Sequence, residues 1–154
     1  MRVGWPHAAC TGAAGVLGKC VSTPLPKGLL DLLRKPSPCF VTTLMPDGSP
    51  QLTQTWVTTD GERVVINIVA GSQKDKNLRR DPRIALNVAD PDEVFRYYAV
   101  RGRVADMTTD GGAESIDEIS HKYLGTPYPN FTGRPETRVV VTIDAERVTP
   151  PAGG

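Results

Sequence analysis

Val64-Val65-Ile66-Asn67-Ile68-Val69-Ala70-Gly71-Ser72-Gln73-Lys74-Asp75-Lys76-Asn77-Leu78-Arg79-Arg80-Asp81-Pro82-Arg83 changes character at Gly71. The seven residues before it are almost continuously apolar and rich in β-branched side chains, the composition of a strand buried on both faces. The thirteen residues from Gly71 to Arg83 hold five basic and two acidic side chains. Ser72 followed by Asp75 makes a start of the capping-box kind, with Asp in place of Glu. Asp81-Pro82 marks the stop, because the residue before a proline avoids the helical region. A buried strand thus runs directly into a charged helix of about two to three turns.

Strand signals lie on both sides of this pair. Upstream, Cys39 to Met45 is β-rich and stops at Pro46-Asp47-Gly48, where proline presets φ and Asp and Gly accept a tight turn. Gln51 to Thr59 alternates, with Leu52, Gln54, Trp56 and Thr58 on one face and Gln51, Thr53, Thr55 and Val57 on the other, and ends at the hairpin signal Asp60-Gly61. Downstream, Ile84 to Ala89 alternates again, Phe95 to Met107 is a long strand with Gly102 suited to a bulge, and Thr137 to Val148 is the last strand. Lys27 to Arg34 has helical apolar spacing and ends before Pro36. A third helix is expected from an Asp110 cap to Gly125, with Ile116, Ile119 and Tyr123 inward and His121 and Lys122 at the end that suits cations.

Six strands with few, short helices predict a mainly β domain, a six-stranded antiparallel barrel, closed or partly closed so that strand edges are not left exposed. The 154 residues fit one domain, expected over 24–150. Residues 1–23 are rich in Ala, Gly and Cys and are read as a flexible tail outside the fold, or as the product of an upstream start codon. No run approaches the roughly 20 apolar residues of a membrane span. Cys10, Cys20 and Cys39 are odd in number and lack metal-ligand spacing, so neither a disulfide framework nor a metal site is expected, and a reduced, cytoplasmic setting is. A net charge of +1 gives the whole molecule no pull toward nucleic acid or anionic membrane.

Local charge is another matter. Lys74 and Lys76 sit in the first turns of the basic helix, where the dipole disfavours cations by about 0.3–1 kcal/mol each. A bound anion reverses that penalty. The free N–H groups of the first turn, the Ser72 hydroxyl and the Lys74 ammonium are placed to converge on one phosphate, and Asn77 shares the face of Lys74. A solvated basic helix explains the same charges equally well on composition alone. Nucleic-acid binding does not, for the patch is short and has no interleaved aromatics.

The chain from Leu25 to Val148 resembles the pyridoxamine-phosphate-oxidase-like, FMN-binding split β-barrel family, and within it the actinobacterial branch that uses the deazaflavin coenzyme F420. The matching elements are Pro46-Asp47-Gly48-Ser49-Pro50-Gln51, Ser72-Gln73-Lys74, Lys76 through Arg83, Arg101-Gly102-Arg103-Val104, and Tyr128-Pro129 before Arg138-Val139-Val140-Val141. The resemblance implies a homodimer with cofactor sites at the subunit interface and a small-molecule substrate. It implies that Lys74 and its neighbours hold the cofactor's phosphate, with Ser72, Gln73, Lys76 and Asn77 on the phosphate or polyol side. Gln51, Thr53 and Gln54 are the implied polar contacts to the heterocycle or polyol chain, and Trp56 an implied pocket wall, though a large strand aromatic is more often a core residue. Arg79 and Arg80 read as surface or interface charges. The substrate-phosphate clamp and basic C-terminal motif of the FMN oxidases have no counterpart, so pyridoxamine phosphate oxidation is not expected.

The implied activity is hydride transfer between reduced F420 and a small conjugated organic substrate, with the cofactor carrying the chemistry and the protein orienting it. Two other readings stand beside it: an FMN-dependent reductase or oxidase of the same fold, and a carrier of flavin, F420 or haem without turnover. No catalytic acid is assigned. Tyr97, Tyr98, Tyr128 and His121 are candidates by side-chain type alone.

Overall fold

The computed structural model describes residues 22–153. Its elements are α1 (Lys27–Arg34), β1 (Cys39–Leu44), β2 (Pro50–Thr55), β3 (Val57–Thr59), β4 (Val64–Val69), α2 (Gln73–Arg80), β5 (Arg83–Ala89), β6 (Tyr97–Thr108), α3 (Gly112–Leu124) and β7 (Arg138–Thr149). The tail expected over 1–23 lies outside the described residues apart from Ser22 and Thr23. Thr23 is tied to β7, its N–H donating to Ala145 O at 2.6 Å and its hydroxyl to Glu146 O at 2.9 Å.

All strands pair antiparallel in one sheet of order β2-β1-β5-β6-β7-β4-β3. The two edges are β2 and β3, yet only Trp56 separates them in the chain. A sheet whose opposite edges are joined by one residue must curl until they nearly meet, which makes an antiparallel barrel that is split along one seam. The strand count is seven rather than six because Gln51 to Thr59 is not one strand. Pro50–Thr55 pairs with β1 and Val57–Thr59 with β4, so the chain has to change partners at Trp56.

The inward positions fill the barrel with Val41, Val57, Val64, Ile66, Leu86, Val88, Val100, Val141 and Ile143, each all but sealed from solvent. Burying a side chain of this kind contributes about 1.5–3 kcal/mol. Leu29, Leu32 and Leu33 of α1 cap one end of the same core. α3 lies against β7 and β4 and buries Ile116 and Ile119, which is why β4 is covered on both faces.

Two boundaries differ from expectation. β6 begins at Tyr97, leaving Phe95 86% exposed, because the Asp90 N–H closes a loop onto Arg96 O at 2.8 Å. α3 is capped not by Asp110 but by Gly111, in the left-handed region at φ 71°. Leu52 points out of the barrel and is 65% exposed, since the inward positions of β2 are Gln51, Thr53 and Thr55. The bulge at Gly102 is present. A Cβ there would lie 2.2 Å from Asp144 O, so only glycine lets β6 and β7 approach this closely. No helix among the described residues is long and apolar enough to cross a membrane.

Ile66 is fully enclosed between the α3-covered face and the barrel interior. Ile66→Ala should cost about 2–5 kcal/mol of unfolding free energy, read as a lower urea midpoint at unchanged slope. A change under about 0.5 kcal/mol, the usual range of surface substitutions, would contradict the core described here.

Candidate cofactor site at the barrel split

α2 leaves β4 through Gly71 and is fixed before any ligand is considered. Ser72 Oγ accepts the Asp75 N–H at 3.3 Å. The Asp75 carboxylate reaches back to the Gly71 N–H at 2.8 Å and also accepts from Arg79 Nε at 2.8 Å. The reciprocal bond of the expected capping box is therefore made one residue earlier than the cap itself. Asn77 is completely buried and fully used. Its Nδ2 donates to Thr43 Oγ1 at 3.0 Å and Gln51 Oε1 at 3.3 Å, while its Oδ1 accepts from Gln73 Nε2 at 2.8 Å and Arg80 at 3.2 Å. Arg80 also donates to Leu44 O. These bonds hold the helix against β1 and β2.

Lys74 departs from this pattern. It is half-buried, and its Nζ donates to Thr53 Oγ1 at 3.1 Å as its one polar contact among the described residues. Burial first, and the charge of Arg138 second, lower its pKa. An ammonium with three donors and one neutral partner, beside another cation, is a charge arranged for an anion.

Arg138 comes to this place because it pairs with Val69, the last residue of β4 before α2. Its side chain is 11% exposed; Nε donates to Asn67 Oδ1 at 2.8 Å, Nη1 to Glu136 at 3.1 Å, and the guanidinium lies 4.9 Å from the Tyr128 ring centre. The Thr132 hydroxyl, and less strongly Arg138 and Tyr128, hold the Glu136 carboxyl below its ordinary pKa. Asn67 is itself anchored by donating to Gly112 O at 2.9 Å. A Cβ on Gly112 would lie 2.3 Å from Arg138 O, so the glycine is what lets α3 press onto this corner.

A cavity of about 480 Å³ opens along the split, within the size range of small-molecule sites. Gln54, Thr55 and Trp56 form one side, Asn67 and Arg138 another, and Tyr128 and Phe131 the rim. Trp56 stacks on Tyr123 with ring centres 5.2 Å apart and an interplanar angle of 11°, and Tyr128 and Phe131 meet it edge-on. The flat wall is held from behind. Tyr123 donates to Ser37 O at 2.6 Å and accepts the Val57 N–H at 3.2 Å. Lys122 turns inward, donating to Leu33 O at 2.7 Å and to Val57 O, instead of compensating the helix end from solvent. Burial pulls the Lys122 pKa down to about 8 and pushes those of Tyr123 and Cys39 up to about 12. Cys39, which lines the cavity, is thus held as the neutral thiol, the weakly reactive form.

The sequence-expected residues divide by position. Gln54 and Trp56 line the cavity, and Thr53 and Lys74 are joined by a hydrogen bond. Ser72 and Gln73 open α2, half-buried. Gln51 and Asn77 face each other in the bracket under α2. Lys76 is exposed on the helix and does not join the group. Of the candidates by type, Tyr128 borders the cavity, while Tyr98 is buried, Tyr97 is 43% exposed, and His121 lies on the outer surface of α3. Arg138, Asn67, Lys122 and Tyr123 were not anticipated at the site. Asn67 had a signal, being the one polar residue in an apolar strand, whereas Arg138 needed the β4–β7 register. Among the described residues no group of His, Cys, Asp or Glu is placed to hold a metal.

A split antiparallel barrel with a cationic corner and an aromatic-walled cavity is a small-molecule or cofactor-binding barrel. Residues 25–150 match the pyridoxamine 5'-phosphate oxidase family, and the chain belongs to it. The family is of the flavin and F420 oxidoreductase type, and some of its members have unknown or non-catalytic roles. A solved structure named F420 reductase is 29% identical, with a TM-score of 0.68 over 81% of this chain and 98% of that one. A conserved hypothetical protein of Mycobacterium tuberculosis is 25% identical, with a TM-score of 0.61 over 82% of this chain and 84% of that one. HupZ of Group A Streptococcus shares the fold at 18% identity, with a TM-score of 0.60 over 84% and 96% of the two chains. No protein of curated function matches the chain.

The inward turn of Lys122 has a consequence for stability. Its folded pKa of about 8 lies below the ordinary 10.5, so between these values the unfolded chain binds more protons than the folded one. Stability of the native protein relative to Lys122→Met should then rise as pH increases through that window and be flat below it. Denaturant midpoints of both proteins between pH 7 and 10.5 test this, and a constant difference would show that the amine is not desolvated.

Proposed function

We propose that the protein is an F420-dependent oxidoreductase that moves a hydride between the deazaflavin and a small conjugated organic substrate, and that it acts as a homodimer. The observation that carries this reading is the pair Lys74 and Arg138: Arg138 lines the aromatic-walled cavity, and Lys74, part-buried within reach of its charge, has donors left over for an anion. The likeness to an F420 reductase along nearly that protein's whole length supports the choice of cofactor. Lys74, Arg138 and the first-turn N–H groups of α2 fit a phosphate chemically, since each offers donors in a site partly screened from water.

When bound, the reduced cofactor supplies the hydride. The protein's residues bind and orient. Lys74 and Arg138 neutralise the phosphate, and the Trp56–Tyr123 stack offers a planar apolar wall for the ring system. Gln54, exposed on β2 and lining the cavity, presents both a donor and an acceptor to a heterocycle edge. Tyr128 and Phe131 exclude water from one side of the cavity. The other side is open, and solvent water there provides the proton that completes reduction of the substrate.

Titration of the purified protein with F420 and with FMN, followed by fluorescence, tests the reading. F420 is expected to bind in the micromolar range. Lys74→Ala should weaken it about tenfold to a hundredfold, the worth of a charge-assisted hydrogen bond, at unchanged thermal midpoint. FMN binding without F420 binding overturns the cofactor assignment. F420 binding with no oxidation of its reduced form by quinones, enones or tetrapyrroles turns the protein into a carrier.

A further inference from the structure

The cationic corner contains an acid that the binding of an anion does not require. Glu136 pairs with Arg138 at 3.1 Å, and the two side chains are only 7% and 11% exposed. Its carboxylate also accepts from the Thr132 hydroxyl at 2.6 Å and the Tyr128 hydroxyl at 3.3 Å. The Thr132 bond first, and then Arg138, outweigh burial and hold the carboxyl below its ordinary pKa, so it is ionised at neutral pH. Arg138 is oriented without it, by the bond from Nε to Asn67 Oδ1 and by the Tyr128 ring. What Glu136 adds to the corner is a negative charge.

That charge changes which anion fits. Lys74 and Arg138 bring two positive charges and Glu136 takes one away, leaving +1. On α2, Asp75 and Arg79 neutralise each other at 2.8 Å, and β4 contributes only the neutral Asn67. Lys76, Arg134, Glu114 and Asp117 are exposed, and water screens them. The first turn of α2 adds about half a unit of positive charge. A phosphodiester, with one negative charge at neutral pH, is matched by this corner. A phosphomonoester carries close to two. It meets about twice the repulsion from Glu136, and it costs more to take from water, because the Born cost of an ion rises with the square of its charge.

Resting on the proposed cofactor site, we infer that Glu136 is a specificity-determining residue, which sets this corner to take a phosphodiester in preference to a phosphomonoester. Both kinds of phosphate offer oxygens to the same donors, so the difference between them here is one of charge. F420 holds its phosphate in a diester and FMN in a monoester. A single carboxylate thus selects between the two cofactors at their phosphates, apart from any contact with their rings. As a counter-ion alone, Glu136 would lower the cost of burying Arg138 and would not distinguish one ligand from another.

FMN and its monomethyl phosphate ester share ring and ribityl chain and differ by one charge at neutral pH. Fluorescence titration gives the affinity of each, and of F420, for the wild type, Glu136→Gln and Lys74→Ala. The wild type should bind the methyl ester about tenfold more tightly than FMN. Glu136→Gln keeps an acceptor for Thr132 and Arg138 and should remove most of that preference by strengthening FMN. In the wild type, FMN affinity should fall between about pH 5 and 7.5, where the second phosphate proton leaves. The methyl ester should stay level, and it registers any titration of the protein itself. No preference in the wild type overturns the inference, as does one that survives Glu136→Gln. If Glu136→Gln does not fold, the pH series decides: a fall confined to FMN upholds the inference, and a level FMN affinity ends it. Binding of F420 with neither flavin bound puts the choice at the ring and also overturns it. Lys74→Ala separates the two readings. If it weakens every ligand that binds, the cofactor site stands whatever becomes of Glu136; if it weakens none, or if nothing binds the wild type, the site itself falls and the inference with it.

Discussion

Between Thr55 and Val57 the chain leaves one edge of the sheet and joins the other, with Trp56 as the only residue in between. Seven strands can neither flatten nor close fully under that constraint. Had β2 and β3 paired with each other, the barrel would be sealed and the cavity lost. Had they been joined by a long loop, the edges would be free to separate. The one-residue crossing fixes a narrow opening instead. α3 then holds the crossing from outside: Lys122 bonds to Val57 O, and Tyr123 accepts the Val57 N–H while stacking on Trp56. The indole is turned out of the strand ladder and becomes a wall.

The electrostatics follow from where the split lies. β4 enters α2 at the seam, and β7 begins beside it, so the helix start, Lys74 and Arg138 meet at one corner. Asp75 and Glu136 are both committed, one to Gly71 and Arg79, the other to Thr132, Tyr128 and Arg138. What remains is positive charge with spare donors and partial desolvation. A protein interior tolerates this when a ligand supplies the counter-charge, since buried cations without partners are costly.

Much of this was legible in the residues and some was not. The alternation of β1, β5, β6 and β7 and the sudden change at Gly71 specified the elements, because period and turn chemistry are local. The misplaced lysines of α2 were readable too, since the dipole argument needs only the helix. Trp56 was not readable as a crossing point: its alternation is unbroken, and only pairing with two different strands cuts the run. Arg138 and Lys122 were hidden for a related reason. One reaches the corner through register with Val69, and the other turns inward from a helix end where a cation reads as ordinary surface charge.

An open seam exposes two strand edges, and exposed edges invite pairing with other chains. Here β3 is only three residues long, β2 begins with Pro50, and the residues behind the seam are engaged by α1 and α3 through Ser37, Leu33 and Val57. The backbone edge is therefore guarded while the side-chain face beside it, from Leu52 to Ala85, is not. Edge protection and face exposure have opposite consequences. The first keeps the barrel from growing by strand addition; the second leaves apolar and cationic side chains uncovered next to the split. The opening then lies next to that exposed face, because β2 borders both.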